Sequence, residues 1–202
     1  MANWDESAHP RVPGGKTAGG QFMTKQASGG TLFGGKKQIW GVDYEVHLSD
    51  ELDDVDKEKF YDYFEGTAQK YIGAAQEDEA AGTSPAVKYI FKDGYPYSFY
   101  QGWIVEDYQP EFSIMREVGD SPYEVIYLGS AEPGGGTTAL AEAICDSFSK
   151  GATGLFLHSD PAAKGFYRRM GMHQANPYSN LFYYTGEELS LIFEEFSMKD
   201  VQ

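Results

Sequence analysis

A chain of 202 residues, 41% apolar and 15% aromatic, is long enough for one domain with its own core. Its single cysteine, Cys145, excludes an internal disulfide and a zinc site built on several thiolates, and no metal site is expected. The formal charge is −15, yet residues 1–38 carry +3 and leave −18 on the rest; such a body repels phosphate backbones, so no nucleic-acid partner is expected, whereas cationic amines or basic protein segments are attracted. The same acidic faces also serve solubility.

No apolar run approaches the roughly 18 to 20 residues of a membrane span, and the first residues lack the apolar centre of a signal peptide, so the expectation is a soluble cytoplasmic protein with no membrane partner. Residues 1–38 are rich in Gly, Lys, Ser, Thr and Pro, with almost no periodic apolar pattern, and read as a disordered tail or linker. Residues 39–202 form the expected domain. Alternation from Trp40 to Leu48 predicts a half-buried strand. Asp53 or Asp54 caps a helix in which Phe60, Phe64, Ala68, Tyr71 and Ile72 recur at helical spacing, running to about Ala75. Beyond Pro85, the segments 87–91 and 97–105 flank the turn Lys92-Asp93-Gly94 and predict a hairpin, with a bend at Gly102 in its second arm.

Phe112 to Arg116 reads as a short strand and Tyr123 to Leu128 as a stronger one. The glycine turn Pro133-Gly134-Gly135-Gly136 then opens a helix with a stripe of Leu140, Ile144 and Phe148; Cys145 beside the stripe reads as a core residue rather than a nucleophile. Gly151 and Gly154 end that helix, Leu155 to His158 is a short buried strand, and Pro161 starts a helix through Met170 that Gly171 caps. Leu181 to Tyr184 is the last strand. Thr185 with Glu188 forms a capping box for a final helix whose Leu189, Ile192, Phe193 and Phe196 face inward.

The unit that carries chemistry is strand, glycine turn, helix, strand, helix. In it the turn can expose backbone N–H groups from Gly134 to Thr138 at a helix N-terminus, where their dipoles favour an anion. A turn of this kind also solves a purely steric problem in many chains. The two segments GGGTTALAEAI and GLFLHSDPAAKGFYRRMGM together resemble the acetyl-CoA-binding half of the GNAT acetyltransferases, whose signature is a G-x-G-x-x-L-L turn followed later by A-x-x-F-Y-x-x-x-G-F. Here these read Gly134-x-Gly136-x-x-Ala139-Leu140 and Ala163-x-x-Phe166-Tyr167, with Met170-Gly171-Met172 closing the second motif. About 50 residues are covered, counting the strand from Tyr123.

The resemblance implies an α/β fold, a mixed, mostly antiparallel twisted sheet with helices on both faces. It implies an acetyltransferase using acetyl-CoA as cosubstrate, with a small-molecule amine or a protein lysine as acceptor. In that reading the amides of Gly134, Gly135, Gly136, Thr137 and Thr138 hold the pyrophosphate. The pantetheine arm enters between the strand ending at Leu128 and the strand at Leu155 to His158, where the two splay, and Ser159 contacts the cofactor. Tyr167 is the general acid for the departing thiolate, a role that suits a phenol protonated at neutral pH. Glu124 is the first candidate for the base, on the strength of family members with a glutamate early in this strand; Asp107, Glu106 and His158 are rivals. The chain departs from the pattern where many relatives carry Arg or Gln, for Ala131 stands there and Glu132 adds a negative charge, so binding would rest on amides helped by Lys164, Arg168 or Arg169.

In the tail, Trp4-Asp-Glu-Ser-Ala-His9-Pro10-Arg11 followed by Gly19-Gly20-Gln21-Phe22 resembles a segment of phage head-associated proteins. That implies a phage or prophage protein, associated with the capsid through its tail, and keeps open a second reading in which a virion or interaction protein retains the fold without activity.

Overall fold

A computed structural model describes residues 35–39, 42–106 and 117–197. The tail before residue 35, the expected strand at Phe112 to Arg116 and Asp107 lie outside the described residues, as does the inward position expected for Phe196. Among the described residues eight strands form one sheet in the order β1-β2-β3-β4-β5-β6-β8-β7. They are β1 (Gly35–Ile39), β2 (Val42–Leu48), β3 (Lys88–Lys92), β4 (Tyr95–Ile104), β5 (Tyr123–Ser130), β6 (Gly154–His158), β7 (His173–Gln174) and β8 (Leu181–Thr185). All neighbouring pairs are antiparallel except β5 with β6. β1 spans the domain boundary expected at residue 38.

Helices cover both faces. On one lie α1 (Asp54–Tyr63) and α2 (Gly66–Ala80), enclosing Phe60, Phe64, Ile72, Ala75, Tyr89 and Phe99. The expected single helix is therefore two. Asp53 caps α1 through a bond from the Asp56 N–H to its Oδ1 at 2.8 Å, and the helix stops at Phe64, whose backbone turns extended (φ −88°, ψ 154°). The stop still directs the Phe64 ring onto Phe99, 5.3 Å between centroids, so both helices serve one apolar cluster. The turn joining β3 to β4 has Asp93 and Gly94 at φ 54° and 79°, the left-handed pair of a tight hairpin.

The other face carries α3 (Gly135–Ser149), α4 (Lys164–Arg169) and α5 (Gly186–Ser197). Leu140 and Ile144 of α3 bury fully against Tyr100, Tyr123, Val125, Leu155 and Phe182. Two acids of the same helix are buried too. Tyr44 donates to Glu142 Oε1 at 2.5 Å, while Asp146 accepts from the Tyr123 hydroxyl at 2.6 Å and from Lys150 at 3.0 Å and pairs with Lys88. Burial pushes the Asp146 carboxyl up, but Lys88, Tyr123 and Lys150 outweigh it and hold the group below the usual carboxylate value. The region from Pro161 to Met170 begins as a short 3-10 turn, Pro161–Ala163, before α4, and Gly171 follows at φ 84°. The capping box of α5 forms as the spacing predicts, the Thr185 N–H donating to Glu188 Oε2 at 2.9 Å and the Glu188 N–H to Thr185 Oγ1 at 3.3 Å.

Candidate functional site

β5 and β6 run together for three residues only. Tyr123, Glu124 and Val125 face Leu155, Phe156 and Leu157; beyond them β5 continues to Ser130 paired with β4 alone, and His158 pairs with Leu181 of β8. The strands part at the end where β5 meets the glycine turn. A bulge accompanies the parting. Tyr127 stands opposite Gln101 and Val125 opposite Gly102, so Ile126 has no partner on β4. Gly102 makes this crossing possible, because a Cβ there would fall 2.5 Å from the Tyr123 ring and 2.6 Å from the Glu124 carbonyl oxygen. The extra residue exchanges faces: Leu128 joins Tyr123 and Val125 under α3, and Tyr127 joins the α1 and α2 cluster.

One end of the gap is the glycine turn. Gly134 adopts φ 92° as the N-cap of α3, and a Cβ on it would meet the Tyr97 hydroxyl at 2.7 Å; one on Gly135 would meet the Tyr97 carbonyl oxygen at 2.8 Å. The turn thus lies directly on β4. Of the five amides at issue, Gly135 donates to the Glu132 carbonyl and Thr138 to the Gly134 carbonyl. Those of Gly134, Gly136 and Thr137 have no acceptor among the described residues. Unpaired N–H groups at a helix start favour an anion.

Tyr167 comes from α4, whose Phe166 ring lies 3.6 Å from where a Cβ on Gly136 would stand. The Tyr167 ring packs between Phe166 and Phe182, with centroids at 5.0 and 5.5 Å, and it is 7% exposed. Its hydroxyl has no hydrogen-bond partner among the described residues. Burial, with Tyr71 and Asp160 adding to it, pushes the phenol well above its usual value, so it stays protonated across the physiological range. Asp160 lies just past β6 and accepts the Tyr71 hydroxyl at 3.1 Å and the Ala162 N–H at 2.8 Å. Tyr71 belongs to α2 and rests on Tyr127 of β5, 6.0 Å between centroids, so this phenol bridges the two sides of the gap.

The remaining candidates separate. Alternation through Val125 puts Glu124 on the face of Tyr127 rather than that of Leu128, and its carboxylate accepts the Trp103 indole N–H at 3.3 Å. His158 and Glu106 are exposed. Ser159 is buried, its hydroxyl donating to the Asp160 carbonyl at 2.7 Å. Arg168 is engaged by Gln174 at 2.7 and 3.0 Å, and Lys164 reaches the Tyr178 carbonyl at 3.4 Å. No group of three or more His, Cys, Asp or Glu that could hold a metal occurs among the described residues. Sequence reasoning missed Tyr71, Asp160 and Trp103. Tyr71 was legible only as an apolar-face position, and nothing local links it to Asp160, 89 residues away.

No family model matches the chain, and no curated protein matches it. Solved structures do. AtaTR bound with acetyl-CoA superposes with a TM-score of 0.55 at 15% identity over 74% of this chain and 98% of that one. The chain has the GNAT fold. A mutant of KacT gives 0.53 at 16% identity over 74% and 99% of the two chains, and the AtaT-AtaR complex bound to DNA gives 0.52 at 16% identity over 73% and 98%. Within the GNAT fold the sheet order, the parted parallel pair and the glycine turn at the start of α3 belong to one region of the molecule.

Proposed function

We propose that this chain is an N-acetyltransferase that moves the acetyl group of acetyl-CoA to a primary amine by direct attack. The observation that carries the reading is the three-residue pairing of β5 with β6, which parts the strands near a glycine turn whose amides lack acceptors, with the protonated Tyr167 phenol in the adjoining core. The fold shared with AtaTR, solved with acetyl-CoA, supports the same donor.

In this reading the pyrophosphate takes the amides of Gly134, Gly136 and Thr137, while Gly135 and Thr138 hold the turn in shape through their own bonds. Leu128 and Ser159 flank the pantetheine arm. The amine lone pair forms the new bond to the carbonyl carbon, the carbon–sulfur bond breaks, and the Tyr167 hydroxyl gives its proton to the departing sulfur. Glu124 takes the proton released by the nitrogen, directly or through water. Trp103 donates to that carboxylate and restrains its orientation. A phenol held above its usual value is a weak acid at neutral pH, but a thiolate leaving group needs only a late proton.

Thiol release from acetyl-CoA with a panel of primary amines tests the reading. Tyr167→Phe is expected to lower turnover by about 10²-fold or more with unchanged acetyl-CoA affinity. Unchanged turnover removes Tyr167 from the acid role, and no transfer by the wild-type chain to any amine overturns the activity.

A further inference from the structure

Lys92, at the end of β3, lies on the α3 face of the sheet with Lys88 and Ile90, which share its alternation. Lys88 pairs with Asp146 late in α3. The strand from Lys88 to Lys92 covers about 13 Å and the helix from Asp146 back to Gly135 about 16 Å, so Lys92 comes level with the glycine turn. The contacts agree. Its ammonium sits over the Tyr97 ring, 5.2 Å from the centroid, and the Tyr97 hydroxyl is 2.7 Å from where a Cβ on Gly134 would stand. Lys59, Lys88 and Lys150 each pair with a carboxylate, whereas half-buried Lys92 has none within ion-pair distance among the described residues. Glu132, beside the turn, accepts the Tyr63 hydroxyl of α1 at 3.5 Å instead.

A second observation at the same place points to a ligand. Ser98 stands opposite Ser130 on β5 and beneath Gly135, where a Cβ on that glycine would fall 3.2 Å from Ser98 Cβ. It is fully buried, and its hydroxyl has no hydrogen-bond partner among the described residues. Such an orphan is costly unless something completes it. Amides without acceptors, an orphaned hydroxyl below them and an unpaired ammonium one ring away converge on the first turn of α3. In a chain of formal charge −15, with Glu132 adjoining, an anion held there needs a compensating cation. A four-carbon lysine stem moves from the ring to the turn by rotamer changes alone. We infer that Lys92 supplies that cation, leaving Tyr97 to bind the diphosphate of the cosubstrate, and that Ser98 completes the floor of the same site. The inference rests on the acetyl-CoA donor reading and assigns to it a charged residue that the glycine turn lacks.

Calorimetric titration of the full chain tests it with three probes: acetyl-CoA, its 3′-dephospho form, and inorganic pyrophosphate. Lys92→Met keeps the apolar stem over Tyr97 and is expected to weaken all three by about tenfold. Lys92→Arg restores most of the affinity, and added salt costs Lys92→Met less than it costs the wild type. Lys59→Met, on α1, changes none of the three and separates a placed charge from the bulk charge of the chain. Ser98→Ala is expected to weaken acetyl-CoA at an unchanged or higher melting midpoint, because it removes an orphan rather than a bond. A lower midpoint with unchanged affinity overturns the part given to Ser98. Equal binding by Lys92→Met, an equal loss in Lys59→Met, or no pyrophosphate binding by the wild type at millimolar concentration overturns the inference. A loss that vanishes with the 3′-dephospho form overturns the diphosphate assignment. The two readings stay apart: acetyl-CoA binding that ignores Lys92→Met leaves the donor reading standing, whereas Lys92-dependent binding of pyrophosphate without any of acetyl-CoA refutes the donor reading and not the anion site.

Discussion

The two edges of β5 are built from the same eight residues and behave differently. Toward β4 the strand is paired from Tyr123 to Ser130, interrupted by one bulge; toward β6 it is paired for three residues and then released. On the closed edge each residue but Ile126 has a partner on β4. On the open edge the groups from Ile126 onward have no strand partner on β6, and buried backbone polar groups require some partner. Around it, α3 is anchored to the closed part through Asp146, and Tyr167 of α4 packs in the same core as Leu128 and Val125.

If the closed part is the anchor, its loss should cost most. Asp146→Ala leaves the buried Lys88 ammonium and the Tyr123 hydroxyl without their acceptor, and urea unfolding should register a loss of about 3–5 kcal/mol. The same carboxylate has an acid signature. Because its folded value is depressed, its contribution is complete above the unfolded carboxylate value of about 4 and is lost as pH falls through the lower folded value, so the unfolding midpoint should be level near neutrality and drop only below about pH 4. Next comes the bulge. Gly102→Ala forces a methyl against the Tyr123 ring and the Glu124 carbonyl and should cost about 1–3 kcal/mol, with acetyl transfer falling further than stability explains. Smallest is a change remote from both edges: Thr185→Ala removes the acceptor for the Glu188 N–H and should cost about 1 kcal/mol without touching acetyl-CoA affinity. A rate effect there would show that the two edges are not the organising feature.

Most of what is local in this fold could be read from the residues. The glycine turn, the stripe of α3, the Phe166-Tyr167 pair, Gly171 and the α5 capping box depend on neighbours a few positions away, and each stands where its spacing predicts. What escaped depends on distant partners. The break at Phe64 follows from the position of Phe99, and the bulge at Ile126 from what Gly102 lets through on β4. The two-residue strand β7 exists only because β8 offers an edge. For the site, the glycines and Tyr167 carried the reading, whereas the bridge from Tyr71 to Asp160 has no trace at short range. The missing upstream cation at Ala131 proved less informative than the three unpaired amides beside it.

Backbone amide shifts during titration with acetyl-CoA test the central claim most directly, since they report on each edge of β5 separately. The account predicts saturable one-to-one binding in which Gly134, Gly136, Thr137 and the stretch Ile126 to Leu128 move most, while β1 to β3 stay still. No binding at millimolar acetyl-CoA, or shifts confined to residues away from the gap, would contradict it.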